Sequence, residues 1–125
     1  MKNLLLLFAL TVVVSFQATA QNGPNYAPPE GKVVPIAEYY EGGKEAMYKF
    51  IAANINYPVN AKRNRIQGEV IINLDLAADG KIVAAKVVKN VGGGCGEEAL
   101  RVAKLMKFKS SGYSTRQNLS VYYRL

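Results

Sequence analysis

The sequence has no histidine, no tryptophan and a single cysteine, Cys95. A zinc or transition-metal site would lack its usual ligands, because these metals are bound mainly by histidine and cysteine. A cysteine nucleophile would lack the histidine base that commonly activates it. A disulfide inside the chain is excluded, since Cys95 has no partner. We therefore expect neither an enzyme, nor a metal centre, nor a cofactor.

The charge is basic, with 16 Lys and Arg against 9 Asp and Glu, a net charge of +7. Basic proteins often bind nucleic acid when their positive side chains form one patch. Here the Lys and Arg residues are scattered along the predicted helices and loops. The pattern favours an ordinary solvated surface and no nucleic-acid partner.

The first twenty residues have the three regions of a secretory signal peptide. Lys2 supplies the positive start, residues 4–14 are apolar, and Ala-Thr-Ala at 18–20 is a small-residue cleavage site. The apolar run is about half of the roughly 20 residues that a membrane span needs. The sequence predicts export by a cleavable signal peptide over residues 1–20, with no stable membrane anchor after cleavage.

Residues 21–38 are expected to form an extended leader, because Asn, Gly and Pro dominate its first half and large aliphatics are scarce. Its last residues include three aliphatics that favour a short strand: Val33, Val34 and Ile36. Pro35 would place such a strand at the edge of a sheet. The folded domain is expected over residues 39–125.

Two segments predict amphipathic helices. In residues 44–56, large apolar side chains recur at helical spacing: Met47, Phe50, Ile51 and Ile55. Tyr57 and Pro58 should end this helix, since proline disfavours helical geometry in the residue before it. A second helix follows the glycine run at 92–94, and Cys95, Ala99, Val102 and Met106 share one of its faces. Cys95 should thus point toward a sheet.

The glycine run and Cys95 are the two remaining candidates for a chemical site. A phosphate cradle is disfavoured, because no Lys-Ser/Thr pair follows the glycines and Glu97 and Glu98 would repel a phosphate. We expect a tight turn instead. For Cys95, a helix N-terminus lowers the pKa of a thiol and burial raises it, so the sequence leaves a redox role open.

Between the helices, residues 66–88 predict a β-hairpin. Asp79 and Gly80 are interpreted as a two-residue loop, with Gly80 supplying the positive φ that such turns require. Opposite residues then have numbers that sum to 159: Ile72–Val87, Asn73–Lys86, Leu74–Ala85, Asp75–Ala84 and Leu76–Val83. One face of the hairpin is apolar and the other is mixed, as in a sheet that is covered on one side.

Residues 109–117 are interpreted as a loop, and the alternating pattern of 118–125 predicts a final, half-buried strand. The order α-β-β-α-β indicates an α+β domain with two helices packed on one face of a small antiparallel sheet. A final strand at the sheet edge would expose unpaired N–H and C=O groups that can pair with an extended peptide.

Several ordered motifs resemble the C-terminal domain of TonB-type energy transducers, particularly the type common in Bacteroidetes. The matching segments follow one another between residues 39 and 125: Gly42-Gly43, Lys49-Phe50-Ile51, Tyr57 to Ala61, Ile66 to Val70, Asp79 to Ile82, Gly93 to Val102 and Val121 to Tyr123. Three features differ from that family. A transducer has an uncleaved membrane helix and a long proline-rich spacer, where this sequence predicts a cleavable signal peptide and a brief leader. The family's Pro-x-Trp-x-Pro-Gly turn is replaced here by Lys107 to Gly112.

The resemblance implies the same α+β fold and a non-catalytic periplasmic domain without metal or cofactor. Its last strand would pair with the TonB-box peptide of an outer-membrane transporter. By position, the implied partner-binding residues are Tyr57, Pro58, Asn118, Leu119, Ser120, Val121, Tyr122, Tyr123 and Arg124. The alternative is a structural subunit of an envelope complex that forms a homodimer through the same edge.

Overall fold

The structure, a computed structural model, describes residues 24–125. The predicted signal peptide at 1–20 and the first three residues of the leader lie outside this range. None of the helices in this range has the length and the hydrophobicity that a membrane span requires.

A three-stranded antiparallel sheet and two longer helices make up the domain. The elements, in chain order, are a 3₁₀ helix (Pro35–Tyr39), α1 (Gly43–Asn54), α2 (Val59–Arg63), β1 (Gly68–Leu76), β2 (Ile82–Lys89), α3 (Cys95–Leu105) and β3 (Thr115–Tyr123). The strand order is β2-β1-β3, so β1 is central and β3 is an edge strand. The predicted α+β class and the order of the main elements are confirmed.

The core lies on one face of the sheet, between the strands and the helices. The buried side chains of the central strand alternate along its length: Val70, Ile72, Leu74 and Leu76. The buried side chains of β3 are Leu119, Val121 and Tyr123, which pair with Ile72, Val70 and Gly68 of β1. Complete burial of an aliphatic side chain of this size contributes about 1.5–3 kcal/mol, so the alternation holds each strand in a single register.

The predicted apolar stripes of the helices are largely confirmed. On α1 and just after it, Met47, Ile51 and Ile55 are buried and Phe50 is partly buried. Tyr48 is also buried, which the stripe did not indicate. The predicted face of α3 is buried throughout, and Cys95 is fully buried at its first turn.

The hairpin register is confirmed at the four pairs whose numbers sum to 159, from Ile72–Val87 to Asp75–Ala84. The predicted pair Leu76–Val83 is wrong, because Leu76 pairs with Ile82. The loop has three residues rather than two: the Ala77 N–H donates to the carbonyl of Lys81 at 2.8 Å. The resulting shift leaves Val83 as a bulge.

β2 contains a second register shift, which leaves Val88 without a partner on β1. Both bulge residues are exposed, Val83 by 68% and Val88 by 50%. Bulges twist an edge strand and interrupt its hydrogen-bonding pattern, so they hinder pairing with another chain. The two outer strands of the sheet therefore differ, because β3 pairs with β1 without any register shift.

The hairpin tip is held by the segment that follows α3. The carbonyl of Ala78 accepts hydrogen bonds from the N–H groups of Ser111 and Gly112, both at 3.0 Å. Gly80 has a φ of +91°, and a Cβ at this position would lie 2.2 Å from the carbonyl oxygen of Phe108. Only glycine satisfies both the left-handed backbone and this close approach.

Three other predicted boundaries are corrected. Val33, Val34 and Ile36 form no strand, because Pro35, whose φ is fixed near the helical value, begins the 3₁₀ helix. Residues 60–65, whose polar and basic side chains predict a plain connection into the hairpin, begin instead within the short helix α2. β3 begins at Thr115 rather than 118, since residues 115–118 also pair with β1, although none of their polar side chains is buried.

Candidate functional site

β3 pairs with β1 along its whole length, and its other edge faces away from the sheet. In an antiparallel strand, alternate residues direct both their N–H and their C=O toward the same side. The Tyr122 N–H and the Arg124 C=O both bond to the leader, on the side away from β1. The outward-facing residues are therefore the even-numbered ones: Arg116, Asn118, Ser120, Tyr122 and Arg124.

The C-terminal part of this edge is covered by the leader. The N–H of Asn25 donates to the carbonyl of Arg124 at 3.0 Å, and the N–H of Tyr122 donates to the carbonyl of Tyr26 at 3.0 Å. The Arg124 guanidinium also donates to the carbonyl of Ala27. The leader thus forms the edge pairing that was predicted for Val33 to Ile36, but it does so about ten residues earlier in the chain.

The N-terminal part of the edge is open in the sense that no strand of the described range pairs with it, and the 3₁₀ helix packs against β3. Within residues 24–125, the outward N–H and C=O of Arg116 and Asn118 have no hydrogen-bond partner, and neither has the N–H of Ser120. The Ser120 carbonyl accepts a 2.6 Å bond from the hydroxyl of Tyr48 on α1. The open stretch from Arg116 to Ser120 spans about 14 Å at the usual rise of a strand.

Of the implied partner-binding residues on β3, the structure brings Asn118, Ser120, Tyr122 and Arg124 to the outer edge. The side chains of Leu119, Val121 and Tyr123 are buried in the core. Their backbone groups face β1, because the outward positions are the even-numbered ones. These three residues hold the strand in place and do not face a partner at the edge.

Polar pairs between β1 and β3 cover the solvent face of the sheet beside the open edge. Arg116 Nε donates to Asp75 Oδ1 at 2.6 Å, and Asn73 Nδ2 donates to Asn118 Oδ1 at 2.8 Å. The hydrogen bond from Arg116 lowers the pKa of the Asp75 carboxyl below its usual value. Because these side chains bond to β1, the open edge presents mainly backbone groups.

One more pair lies on the same face, at the end of the open stretch. Ser120 Oγ donates to Glu69 Oε2 at 2.7 Å. This hydrogen bond is the largest cause that lowers the pKa of the Glu69 carboxyl, and the charge of Lys89 assists it. The carboxylate therefore remains ionised beside the edge.

Tyr57 and Pro58 lie between α1 and α2, and Tyr57 meets β3 through the ring of Tyr123. The Tyr57 ring is buried and packs edge-on against Tyr123, with 5.1 Å between the ring centroids. Its hydroxyl donates to the carbonyl of Ile66, and burial raises its pKa. Pro58 is partly exposed and caps α2.

The leader adds a third ring to this group, which the sequence did not reveal. Tyr26 packs edge-on against Tyr123 at 5.6 Å and lies 6.4 Å from Tyr57, measured between ring centroids. We call Tyr26, Tyr57 and Tyr123 the tyrosine cluster. Burial raises the pKa of Tyr26 to about 12 and raises that of Tyr123 as well. The only available signal was a lone aromatic residue in a polar, proline-rich leader.

Cys95 lies beneath this cluster at the start of α3. The Tyr123 hydroxyl donates to the Cys95 carbonyl at 2.9 Å, and the Cys95 thiol is fully buried. Burial, followed by the charge of Glu97, raises the pKa of the thiol. In residues 24–125, no cluster of three or more metal-ligating side chains is present.

The comparisons with known proteins agree with this geometry. The family model for the Gram-negative bacterial TonB protein C-terminal matches residues 53–125, which include the whole sheet and α3. A search of curated proteins found no significant match.

Two solution NMR structures of the Helicobacter pylori TonB C-terminal domain resemble this fold. The shorter fragment is 26% identical, with a TM-score of 0.54, and covers 63% of this chain and 89% of that chain. The longer fragment is 27% identical, with a TM-score of 0.53, and covers 75% of this chain and 95% of that chain. With more than half of its residues matched by the family model, the chain belongs to the TonB C-terminal domain family.

Proposed function

We propose that this domain is a non-catalytic, periplasmic peptide-binding module. It pairs the open edge of β3, from Arg116 to Ser120, with an extended segment of an outer-membrane transporter. The observation that carries the proposal is the row of unpaired backbone groups on a regular edge strand in a domain of this family. Strand addition uses such groups for affinity and the flanking side chains for selectivity.

The open stretch offers five backbone groups to a peptide, namely two each at Arg116 and Asn118 and one at Ser120. A protein hydrogen bond contributes about 0.5–1.5 kcal/mol net, so five contribute about 2.5–7.5 kcal/mol. Association costs at least about 4 kcal/mol in lost freedom of motion. Backbone pairing alone therefore gives weak binding, and side-chain contacts must add to it.

Two substitutions at Asn118 separate backbone pairing from side-chain contact. Asn118→Pro removes the outward N–H without touching the ladder to β1, since this N–H points away from the sheet. Asn118→Ala keeps the N–H and removes the side chain that bonds to Asn73. The probe is a synthetic peptide that carries the TonB box of an outer-membrane transporter, and the measurement is its dissociation constant.

We expect the proline variant to weaken binding at least about fivefold, the effect of losing one net hydrogen bond of about 1 kcal/mol. The alanine variant should bind within about twofold of the unchanged protein. Equal affinity of all three proteins would contradict strand pairing. Both variants must keep a cooperative unfolding transition.

The alternative function, self-association through the same edge, is separated by sedimentation at several protein concentrations. If the protein forms a concentration-dependent dimer that Asn118→Pro abolishes, and if it does not bind the peptide, self-association replaces peptide binding as the function. A monomer that binds the peptide supports it.

A further inference from the structure

We infer that Tyr26 occupies an aromatic subsite of the peptide-binding edge, and that the leader is an internal competitor of the partner peptide. The subsite is the surface of Tyr57 and Tyr123 on which Tyr26 lies, and its ligand is an extended peptide that carries a tyrosine or phenylalanine. This inference rests on the proposed use of the β3 edge. It adds a side-chain subsite and a competing segment to that use.

The first support is that leader and partner would use the same kind of backbone group on the same edge. The leader bonds to the outward groups of Tyr122 and Arg124, which directly continue the open row at Arg116, Asn118 and Ser120. A peptide that follows the edge beyond Ser120 meets Asn25 and Tyr26. It must end there or displace them.

The second support is the chemistry of the subsite. The Tyr26 side chain is only 7% exposed, although Asn25 beside it is exposed. Its ring meets Tyr123 at an interplanar angle of 89°, the edge-to-face arrangement that aromatic pairs prefer. Within residues 24–125, the Tyr26 hydroxyl has no hydrogen-bond partner, so phenylalanine would fit the same contacts.

The third support is that few other contacts hold the leader to the edge. Pro28 and Pro29 have no N–H to donate, so they interrupt further pairing along β3. The chain then turns at Lys32, whose N–H donates to the carbonyl of Pro29, and Val33 is 80% exposed. A segment held by one buried ring, the partly buried Ala27 and a few hydrogen bonds can exchange with a peptide in solution.

The probe that tests the inference is a labelled synthetic peptide with the leader's own sequence, residues 22–31. It is titrated against the full chain and against Tyr26→Ala, in which the subsite has lost its internal ligand. A tethered competitor reduces the apparent affinity for the added peptide, in proportion to the fraction of molecules in which the site is free. We expect Tyr26→Ala to bind the peptide at least about tenfold more tightly than the unchanged protein.

Matched variants distinguish release of the leader from a general change in the fold. Val33→Ala changes an exposed leader residue and should bind like the unchanged protein, as should Tyr26→Phe, which keeps the ring. Asn25→Pro removes the N–H that bonds to Arg124 without altering the core, so it should raise the affinity about threefold even if Tyr26→Ala unfolds. A peptide whose own tyrosine is replaced by alanine should bind Tyr26→Ala weakly.

Equal affinity of the full chain, Tyr26→Ala and Asn25→Pro for the leader peptide would overturn the inference. Peptide-induced NMR shifts away from Tyr122 and Tyr123 would overturn it as well. If either result is obtained while Asn118→Pro still weakens binding of the TonB-box peptide, only the inference about the aromatic subsite is disproved. If Asn118→Pro has no effect on TonB-box binding, the proposed function itself fails.

Discussion

The hydroxyl of Tyr123 donates a buried 2.9 Å hydrogen bond to the carbonyl oxygen of Cys95. This bond links the last strand to the first turn of α3, while the ring of Tyr123 supports Tyr57 and Tyr26. One residue thus joins the sheet, a helix and the leader. The position of the β3 edge depends on it.

Tyr123→Phe should lower the free energy of unfolding by about 1 kcal/mol, because it removes one buried hydrogen bond and keeps the ring. Urea denaturation measures the change. Tyr113→Phe is the control, since the Tyr113 hydroxyl bonds to that of Tyr39 at an exposed site and should change stability little. Equal effects of the two substitutions would contradict the structural role of Tyr123.

Gly80→Ala should destabilise the domain more than Gly112→Ala. Both glycines have a φ near +90°, so alanine costs about 1–2 kcal/mol at either position. At Gly80 the added Cβ would also meet the Phe108 carbonyl at 2.2 Å, whereas at Gly112 nothing lies within 4 Å. The clash should add about 1–3 kcal/mol, and thermal or urea unfolding of the two variants tests the difference.

Acid should weaken the contact between α3 and the end of α1. The Glu98 carboxylate accepts hydrogen bonds from Arg101 and from the Asn56 N–H at 2.8 Å, and these bonds hold its pKa below the usual 4.5. A carboxyl with a lowered pKa stabilises the fold above its unfolded pKa. That contribution is lost as the pH falls through the lower, folded value.

Glu98→Gln should therefore be less stable than the unchanged protein at pH 7 and lose less stability between about pH 5 and pH 3. Glu97→Gln is the control, because Glu97 lies in the same helical turn but is exposed. The measurement is the free energy of unfolding at a series of pH values. If the two variants have the same pH profile, the Glu98 contacts do not stabilise the fold.

The Cys95 thiol should react with alkylating reagents only after unfolding. It is fully buried, and both burial and the Glu97 charge raise its pKa, so little thiolate forms at neutral pH. Alkylation should follow the unfolding transition as urea is added. Fast alkylation of the native protein would show that the thiol is accessible and would reopen a redox role.

The parts of the fold that were predicted correctly depend on local patterns. Alternation along 68–76 and the helical spacing of Cys95, Ala99, Val102 and Met106 are set by the periods of strand and helix. The Val83 bulge was missed because the loop at Gly80 is shaped partly by the backbone of Phe108, about thirty residues later. Distant contacts of this kind leave no periodic signal.

The same reason explains what was missed at the site. The sequence alone could not establish that the final strand lies at the edge of the sheet, because strand order depends on tertiary packing. The leader's contact with Tyr122 and Arg124 joins residues almost a hundred positions apart, so neither end of the sequence indicates it. Tyr57 was inferred from family resemblance, and the structure places it inside the tyrosine cluster.

Amide hydrogen exchange on β3, with and without the TonB-box peptide, tests the central claim most directly. We expect the peptide to slow exchange at the outward amides of Asn118 and Ser120, while Leu119 and Val121, already paired with β1, change little. This alternation is specific to pairing at the open edge. Unchanged exchange at Asn118 and Ser120 under saturating peptide, or protection confined to β2, would contradict the account.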